Sequence, residues 1–177
     1  YRNLVEENEI NTHRSRIART FASAEAGYTI LKGLRLSTVF NVDYINTNEF
    51  RYFSPESADG RSPNGQGDFY RVENLTYNSN TRLNYAAKFG EHSVDVLAAY
   101  EIHSWDKDYA FAEAKNYATD KKNVLNVAST PVEIGNYISG DAMLSYVFRA
   151  NYDYKTRYYL SASFRRDGSS RLHPDNR

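Results

Sequence analysis

No cysteine occurs in the 177 residues, which excludes disulfides, thiolate metal sites and thiol nucleophiles. Methionine occurs once, against 16 tyrosines, an odd balance for a globular core. An excess of one charge is lacking too, since 22 Lys+Arg meet 22 Asp+Glu. The basic surplus expected of a nucleic-acid binder is therefore missing. The longest apolar run, from Val96 to Tyr100, is far short of the roughly 20 residues a spanning helix needs. No basic-plus-apolar leader follows Tyr1, so the chain is expected to be a mature or internal piece of a longer protein. What the chain does have is 41% hydrophobic and 15% aromatic residues, too many for an acidic disordered tail.

Those residues are arranged with period 2, and helical periodicity is hard to find. From Leu34 to Ile45 the even positions read Leu34, Leu36, Thr38, Phe40, Val42, Tyr44, apolar but for Thr38. The odd positions between them are mostly polar, as in a strand with one oily face. Leu75 to Phe89 puts Leu75, Tyr77, Leu83, Tyr85 and Phe89 opposite Asn78, Asn80, Arg82 and Lys88. Val94, Val96, Ala98, Tyr100 and Ile102 oppose Asp95 and Glu101. Leu144, Tyr146, Phe148, Tyr152 and Tyr154 oppose Ser145, Arg149 and Asp153. Tyr158, Leu160, Ala162 and Phe164 oppose Ser161, Ser163 and Arg165. Arg16 to Ile30 alternates more weakly, which makes about six strands of 9 to 15 residues, long for a soluble sheet.

Connections alternate in length. Tight turns are expected around Leu31-Lys32-Gly33, Gly90-Glu91-His92 and Lys155-Thr156-Arg157. Long loops are expected from Asn48 to Phe69, rich in Pro and Gly, and from Trp105 to Gly140, with another opening after Phe164. Short turns on one side and long loops on the other describe an outer-membrane β-barrel. Tyr28, Tyr85, Phe89, Tyr152, Tyr154 and Tyr158 lie on the oily faces near the tight turns and form half of an aromatic girdle. Six strands are too few to close such a barrel, and open edges are not tolerated in lipid. The fold class is thus all-β, an antiparallel transmembrane β-barrel segment. The alternative is a soluble, lipocalin-like ligand-binding barrel with the oily faces inward.

Catalytic chemistry is not indicated. His13, His92, His103 and His173 lack metal-ligand spacing. Asp106 and Asp108 with Glu113 could bind a hard cation, though a solvated charge cluster reads better. A glycan hydrolase needs carboxylates about 5 to 9.5 Å apart, whereas Asp95 and Glu101 on one strand are spaced by about 20 Å. No enzyme, metal or cofactor is expected.

One stretch is more specific. Leu144-Ser145-Tyr146-Val147-Phe148-Arg149-Ala150-Asn151-Tyr152-Asp153-Tyr154 leads through Lys155-Thr156-Arg157-Tyr158-Tyr159 to Ala162-Ser163-Phe164-Arg165-Arg166-Asp167-Gly168-Ser169-Ser170-Arg171. It closely resembles the SusC/RagA family of TonB-linked outer-membrane transporters, with Leu172 and His173 in place of the usual Phe-Gly. Leu31 to Leu36, and Leu75 to Asn78 with Phe89 to His92, are similar to the same family more weakly.

The resemblance implies a segment, residues 1–177, of a plugged barrel of about 22 strands, the plug domain and remaining strands lying outside this sequence. It implies a location in the outer membrane of a Gram-negative bacterium and import of oligosaccharides or oligopeptides. The implied partners are a SusD-like lipoprotein lid, the TonB complex acting through the plug, and outer-membrane lipid. Within the motif, Asp167-Gly168 is expected to make a tight turn. Arg165, Arg166, Asp167, Gly168, Ser169, Ser170 and Arg171 then form a loop-locking element that can face the plug or lid.

Overall fold

The computed structural model describes residues 4–119, 121 and 123–172; His173 and the four residues after it lie outside them. A short helix, α1 (Leu4–Ile10), precedes six strands: β1 (Thr12–Leu31), β2 (Leu34–Phe53), β3 (Gln66–Phe89), β4 (His92–Tyr117), β5 (Ala128–Tyr154) and β6 (Tyr158–Ser169). They form one antiparallel meander in the order β1-β2-β3-β4-β5-β6. Neighbours in sequence are neighbours in the sheet, as short turns require.

The oily faces are not a core. Among the described residues only Tyr52, Ala99, Ala114 and Tyr117 are buried apolar side chains. Phe148 is 45% exposed and Leu160 68%. The described strands form an open sheet with β1 and β6 at its edges, so they enclose no lipocalin-like interior of their own. The polar exceptions on the oily faces answer one another. Thr38 on β2 meets Thr81 on β3, hydroxyl to hydroxyl at 3.0 Å, so neither presents an unpaired polar group to hydrocarbon.

The tight turns fall where expected. Lys155 and Thr156 both have positive φ, 56° and 55°, and Arg157 donates its N–H to Tyr154 O at 3.1 Å. This is a type I′ hairpin turn, whose twist matches the flanking strands. A β-branched threonine at that φ costs about 1 to 2 kcal/mol. Its neighbours hold it there: Asp153 accepts the Thr156 N–H at 2.9 Å, and Lys155 N–H reaches Glu91 O at 2.9 Å. Gly33 has φ 85°, and a Cβ there would stand 2.2 Å from Ala86 O. Both the turn and the close strand above it exclude a side chain.

The strands run further than their oily code. The loop expected from Asn48 to Phe69 shrinks to residues 54–65, and that from Trp105 to Gly140 shrinks to residues 118–127, part of it a 3₁₀ turn (Leu125–Val127). The physical reason lies on the outer face, which turns polar part-way up. Tyr44 is followed at alternate positions by Asn46 and Asn48, and Ile102 and Ser104 by Asp106 and Asp108. Asn46 donates to Glu73 at 2.8 Å, and Arg71 pairs with Glu73 at 2.8 Å. Beyond that level both faces meet water, so alternation no longer separates oily from polar while strand pairing continues.

The chain divides into two compact units. One comprises residues 20–43, 75–106 and 140–177 and holds the oily bands and tight turns; the other comprises residues 1–19, 44–74 and 107–139. In the first unit the girdle at the turns is built as expected, with His92 stacked on Tyr154 at 4.7 Å and bonded to the Tyr152 hydroxyl at 2.6 Å. A second aromatic pair, Tyr100 and Tyr146 at 5.4 Å, lies eight strand residues further along. That spacing corresponds to about 20 Å of height for strands tilted 35 to 45°.

In the second unit, connection 54–65 is locked rather than loose. Tyr117 N–H reaches Asn64 O at 2.9 Å, and Asn116 N–H reaches Pro63 O and Gly65 O, each at 3.1 Å. The Tyr117 ring packs edge-on against Tyr52 at 4.9 Å. Burial first, then the Tyr52 phenol and Asp68, push its hydroxyl up to about 12, so it stays protonated.

If the oily faces meet lipid, Phe148→Arg in the intact protein should cost about 2 to 4 kcal/mol. Equilibrium unfolding in phospholipid vesicles measures this, and an unchanged midpoint would reverse the assignment of faces.

Candidate functional site

The motif Arg165 to Arg171 is not a loop. β6 continues to Ser169, and Asp167, Gly168 and Ser169 pair with Ser145, Leu144 and Met143 of β5. Gly168 is not among the positive-φ residues, so the expected Asp167-Gly168 turn is replaced by regular strand. Cross-strand pairing with β5 satisfies the backbone there, which a turn would leave to water. The turn begins only at Ser170, whose hydroxyl accepts the Ala142 N–H at 2.9 Å. Arg171 pairs with Asp141 at 3.3 Å.

Strand alternation splits the motif between two faces. Arg165 and Asp167 lie on the polar face and make the densest network there. Arg165 donates Nε–H to both oxygens of Asp167, at 2.9 and 3.1 Å. Its Nη2 donates to Ser145 Oγ at 3.0 Å, and its Nη1 pairs with Glu101 at 3.1 Å. Ser145, only 1% exposed, donates its hydroxyl to Asp167. Glu101 also accepts from Asn80 Nδ2 at 2.6 Å. One guanidinium thus ties β6 to β5 and β4, and Glu101 extends the chain to β3. Arginine suits the task because its fixed fork serves three partners at once. Arg166 and Gly168 lie on the oily face, opposite Tyr146 and Leu144 of β5.

A second constellation lies on the polar face of the other unit. Arg51 donates to the Tyr70 hydroxyl at 2.7 Å and sits 4.9 Å from its ring centre. Tyr70 neighbours Tyr109 at 6.4 Å, and Tyr109 neighbours Tyr137 at 4.9 Å. Phe111 lies across Gly135, where a Cβ would come within 2.4 Å of the ring; glycine is what lets the ring lie flat. Lys107 places its ammonium 5.7 and 5.9 Å from the Tyr109 and Tyr137 rings. Among the described residues it meets no carboxylate. Burial first, then the Tyr70 and Tyr137 phenols, raises the Tyr109 pKa above the ordinary tyrosine value, keeping its hydroxyl a neutral donor. This aromatic row was missed in the sequence because Tyr109 and Tyr137 fall in a stretch read as loop and Tyr70 lies just after another. The signal available was Tyr109 and Phe111 at alternate positions beside Lys107, with Tyr137 two residues after Gly135.

Alternation also separates the carboxylates once considered for a cation. Asp106 lies by Gly140 and Asp108 accepts from Asn136 at 2.7 Å, while Glu113 falls on the opposite side of β4 by parity. Of the histidines, His13 meets Glu49 at 3.0 Å and His103 meets Asn78 at 2.5 Å. Neither stands in a group of three metal-binding side chains among the described residues.

No family model matches the chain. Curated proteins do. TonB-dependent receptor P3 of Formosa agariphila is 27% identical over 176 residues, 98% of this chain and 17% of its own length. TonB-dependent receptor P39 of the same organism is 30% identical over 171 residues, 87% of this chain and 15% of its own length. The fold matches a solved structure of the RagAB peptide transporter with TM-score 0.88 and 22% identity, over 96% of this chain and 19% of the other. An oily outer face between two aromatic levels, a cross-linked polar face and these likenesses define a segment of a transmembrane β-barrel of the TonB-dependent-receptor type. TonB-dependent receptor SusC of Bacteroides thetaiotaomicron is 25% identical over 151 residues, 85% of this chain and 15% of its own length. The chain is similar to TonB-dependent receptors, SusC among them, over a stretch of barrel wall that spans less than a fifth of the relatives it matches.

Ser145→Ala should destabilise the wall by about 1 to 3 kcal/mol, because Arg165 and Asp167 lose a buried partner. Arg165→Lys should also lower the unfolding midpoint of the intact protein, since a compact ammonium lacks the spread fork that reaches Asp167, Ser145 and Glu101 together. A midpoint unmoved by both changes would show that the network adds nothing to the wall.

Proposed function

We propose that this chain is part of the barrel domain of an outer-membrane importer of oligosaccharides or oligopeptides. It would be energised by a TonB complex through a plug and capped by a SusD-like lipoprotein. The observation that carries the reading is the oily band with polar opposite face, on a chain that aligns over 98% of its length with a TonB-dependent receptor. Likeness to the receptor named SusC and to the peptide transporter RagAB supports the lid and the substrate classes. Residues 1–177 then make wall only, with plug and further strands supplied by the rest of the protein. No covalent chemistry is required; the wall holds its shape while the plug rearranges.

Each constellation has a place in this reading. The Arg165 network on the inward face stiffens the wall against a moving plug and offers Arg165, about half exposed, to its acidic groups. The row Tyr70, Tyr109, Tyr137 with Lys107 lies beyond the membrane level on the long-loop side, where ligand enters. Flat rings and an uncommitted ammonium suit contact with a sugar or peptide carrying negative charge.

The test is extraction of native outer membranes with detergent. The polypeptide carrying these residues should run several times heavier than the 20.4 kDa of this segment, shift on boiling and retain a lipoprotein partner. A soluble species of 20.4 kDa would overturn the reading.

A further inference from the structure

The row of rings on the polar face selects among the substrates an importer of this kind handles. β4 is an inner strand, with β3 on one side and β5 on the other, so Lys107, Tyr109 and Phe111 have sheet neighbours on both flanks. Lys107 nevertheless has no ion pair or hydrogen bond among the described residues. Its ammonium rests beside the Tyr109 and Tyr137 rings. Arg51 is engaged already, by the Tyr70 hydroxyl at 2.7 Å, Asp68 at 3.5 Å and Glu49 at 3.7 Å. Of the two cations at the rings, Lys107 is therefore the one left to meet a ligand.

The rings themselves disfavour two other classes of ligand. Their planes turn by 36° from Tyr70 to Tyr109 and by 38° from Tyr109 to Tyr137, as the twist of the sheet requires. A flat polycyclic ligand lying on one ring would miss the next. A peptide bound by strand addition needs a free sheet edge, whereas the backbone N–H and C=O groups of an inner strand are already paired on both sides. Laid across the rings instead, its own backbone groups would lose water and find no replacement. A sugar turns C–H bonds toward a ring face and hydroxyls outward, and its linkages let each unit follow the turn of the next ring. The Tyr109 hydroxyl, which burial and then the neighbouring phenols keep protonated, adds a donor. Phe111, 5.7 Å from Tyr109, extends the platform under Gly135. At that end stands Glu133, whose charge reaches Tyr109 and opposes a second anion there.

We propose that this row binds an oligosaccharide with one anionic substituent, a carboxylate or a sulfate, held by Lys107, while its neutral units lie on Tyr109, Tyr137 and Phe111. The inference rests on the importer reading and narrows its substrates to acidic sugars.

The experiment is calorimetric titration of the full-length protein in detergent with two pairs of ligands. One pair is a trisaccharide bearing a single glucuronate and its methyl ester; the other is a monosulfated trisaccharide and its desulfated form. In at least one pair wild type should bind the anionic member about tenfold tighter or more, as a charge-assisted hydrogen bond provides. The pair that discriminates identifies the substituent. Lys107→Gln should abolish the preference and leave binding of the neutral member unchanged, and Lys107→Arg should keep it. Tyr109→Leu should weaken both members alike, with heat-modifiability of each variant separating a lost contact from a lost fold. An acetylated tripeptide of the same net charge should bind about tenfold more weakly than the anionic sugar. No preference in either pair, a preference that survives in Lys107→Gln, or tighter binding of the tripeptide would overturn the proposal. Any of these results from a heat-modifiable outer-membrane band would sink this site alone and leave the transporter reading standing; a soluble species of 20.4 kDa would remove that reading as well.

Discussion

Backbone polar groups inside hydrocarbon have no water to turn to, and everything else in this chain follows from that constraint. Each strand must be paired along the oily band, so sequence neighbours lie side by side and their turns are as short as chain geometry allows. Where the preferred turn residues are absent, as at Lys155-Thr156, the chain accepts a strained φ and holds it with Asp153 and Glu91. A longer, relaxed turn would shift the register of β5 against β6, and with it every side chain that must face lipid. The same demand explains why Thr38 and Thr81 sit together rather than apart.

The motif from Arg165 to Arg171 shows how strand geometry distributes one short sequence among several duties. Read as a loop, its charges would all face water. Read as a strand, adjacent arginines face opposite media. Arg165 is drawn into a network spanning four strands, whereas Arg166, on the oily face, has no ion-pair or hydrogen-bond partner among the described residues. The small residue Gly168 leaves room on the oily side, and Asp167 anchors the polar side through Ser145 and Arg165. A one-residue shift in register would exchange these roles.

Above the oily band the sheet persists without the pressure that created it. Its outer face there carries Asn46, Glu73 and Arg71 in place of Tyr and Leu, and its polar face carries the row Tyr70, Tyr109 and Tyr137. Rigid strands, rather than mobile loops, hold these rings and the Lys107 ammonium in fixed relation. Residues 54–65 and 118–127 remain as the true connections, and the first of them is bonded to the end of β4.

The sequence by itself determined the strands within the oily band, the tight turns between them and which side chains of each strand share a face. Those properties are local: a period of two, a turn residue, a girdle aromatic at a fixed distance. It also carried the family likeness, through a motif long enough to be distinctive. Only the tertiary structure decided where the strands end, since pairing above the membrane rests on partners distant in sequence and leaves no oily alternation to read. For the same reason it alone revealed that Asp167-Gly168 is paired strand, that Glu101 and Ser145 converge on Arg165, and that Lys107 leaves Asp106 and Asp108 behind to meet two tyrosines. Those contacts join residues tens of positions apart, and the register between neighbouring strands, which no single strand encodes, brings them together.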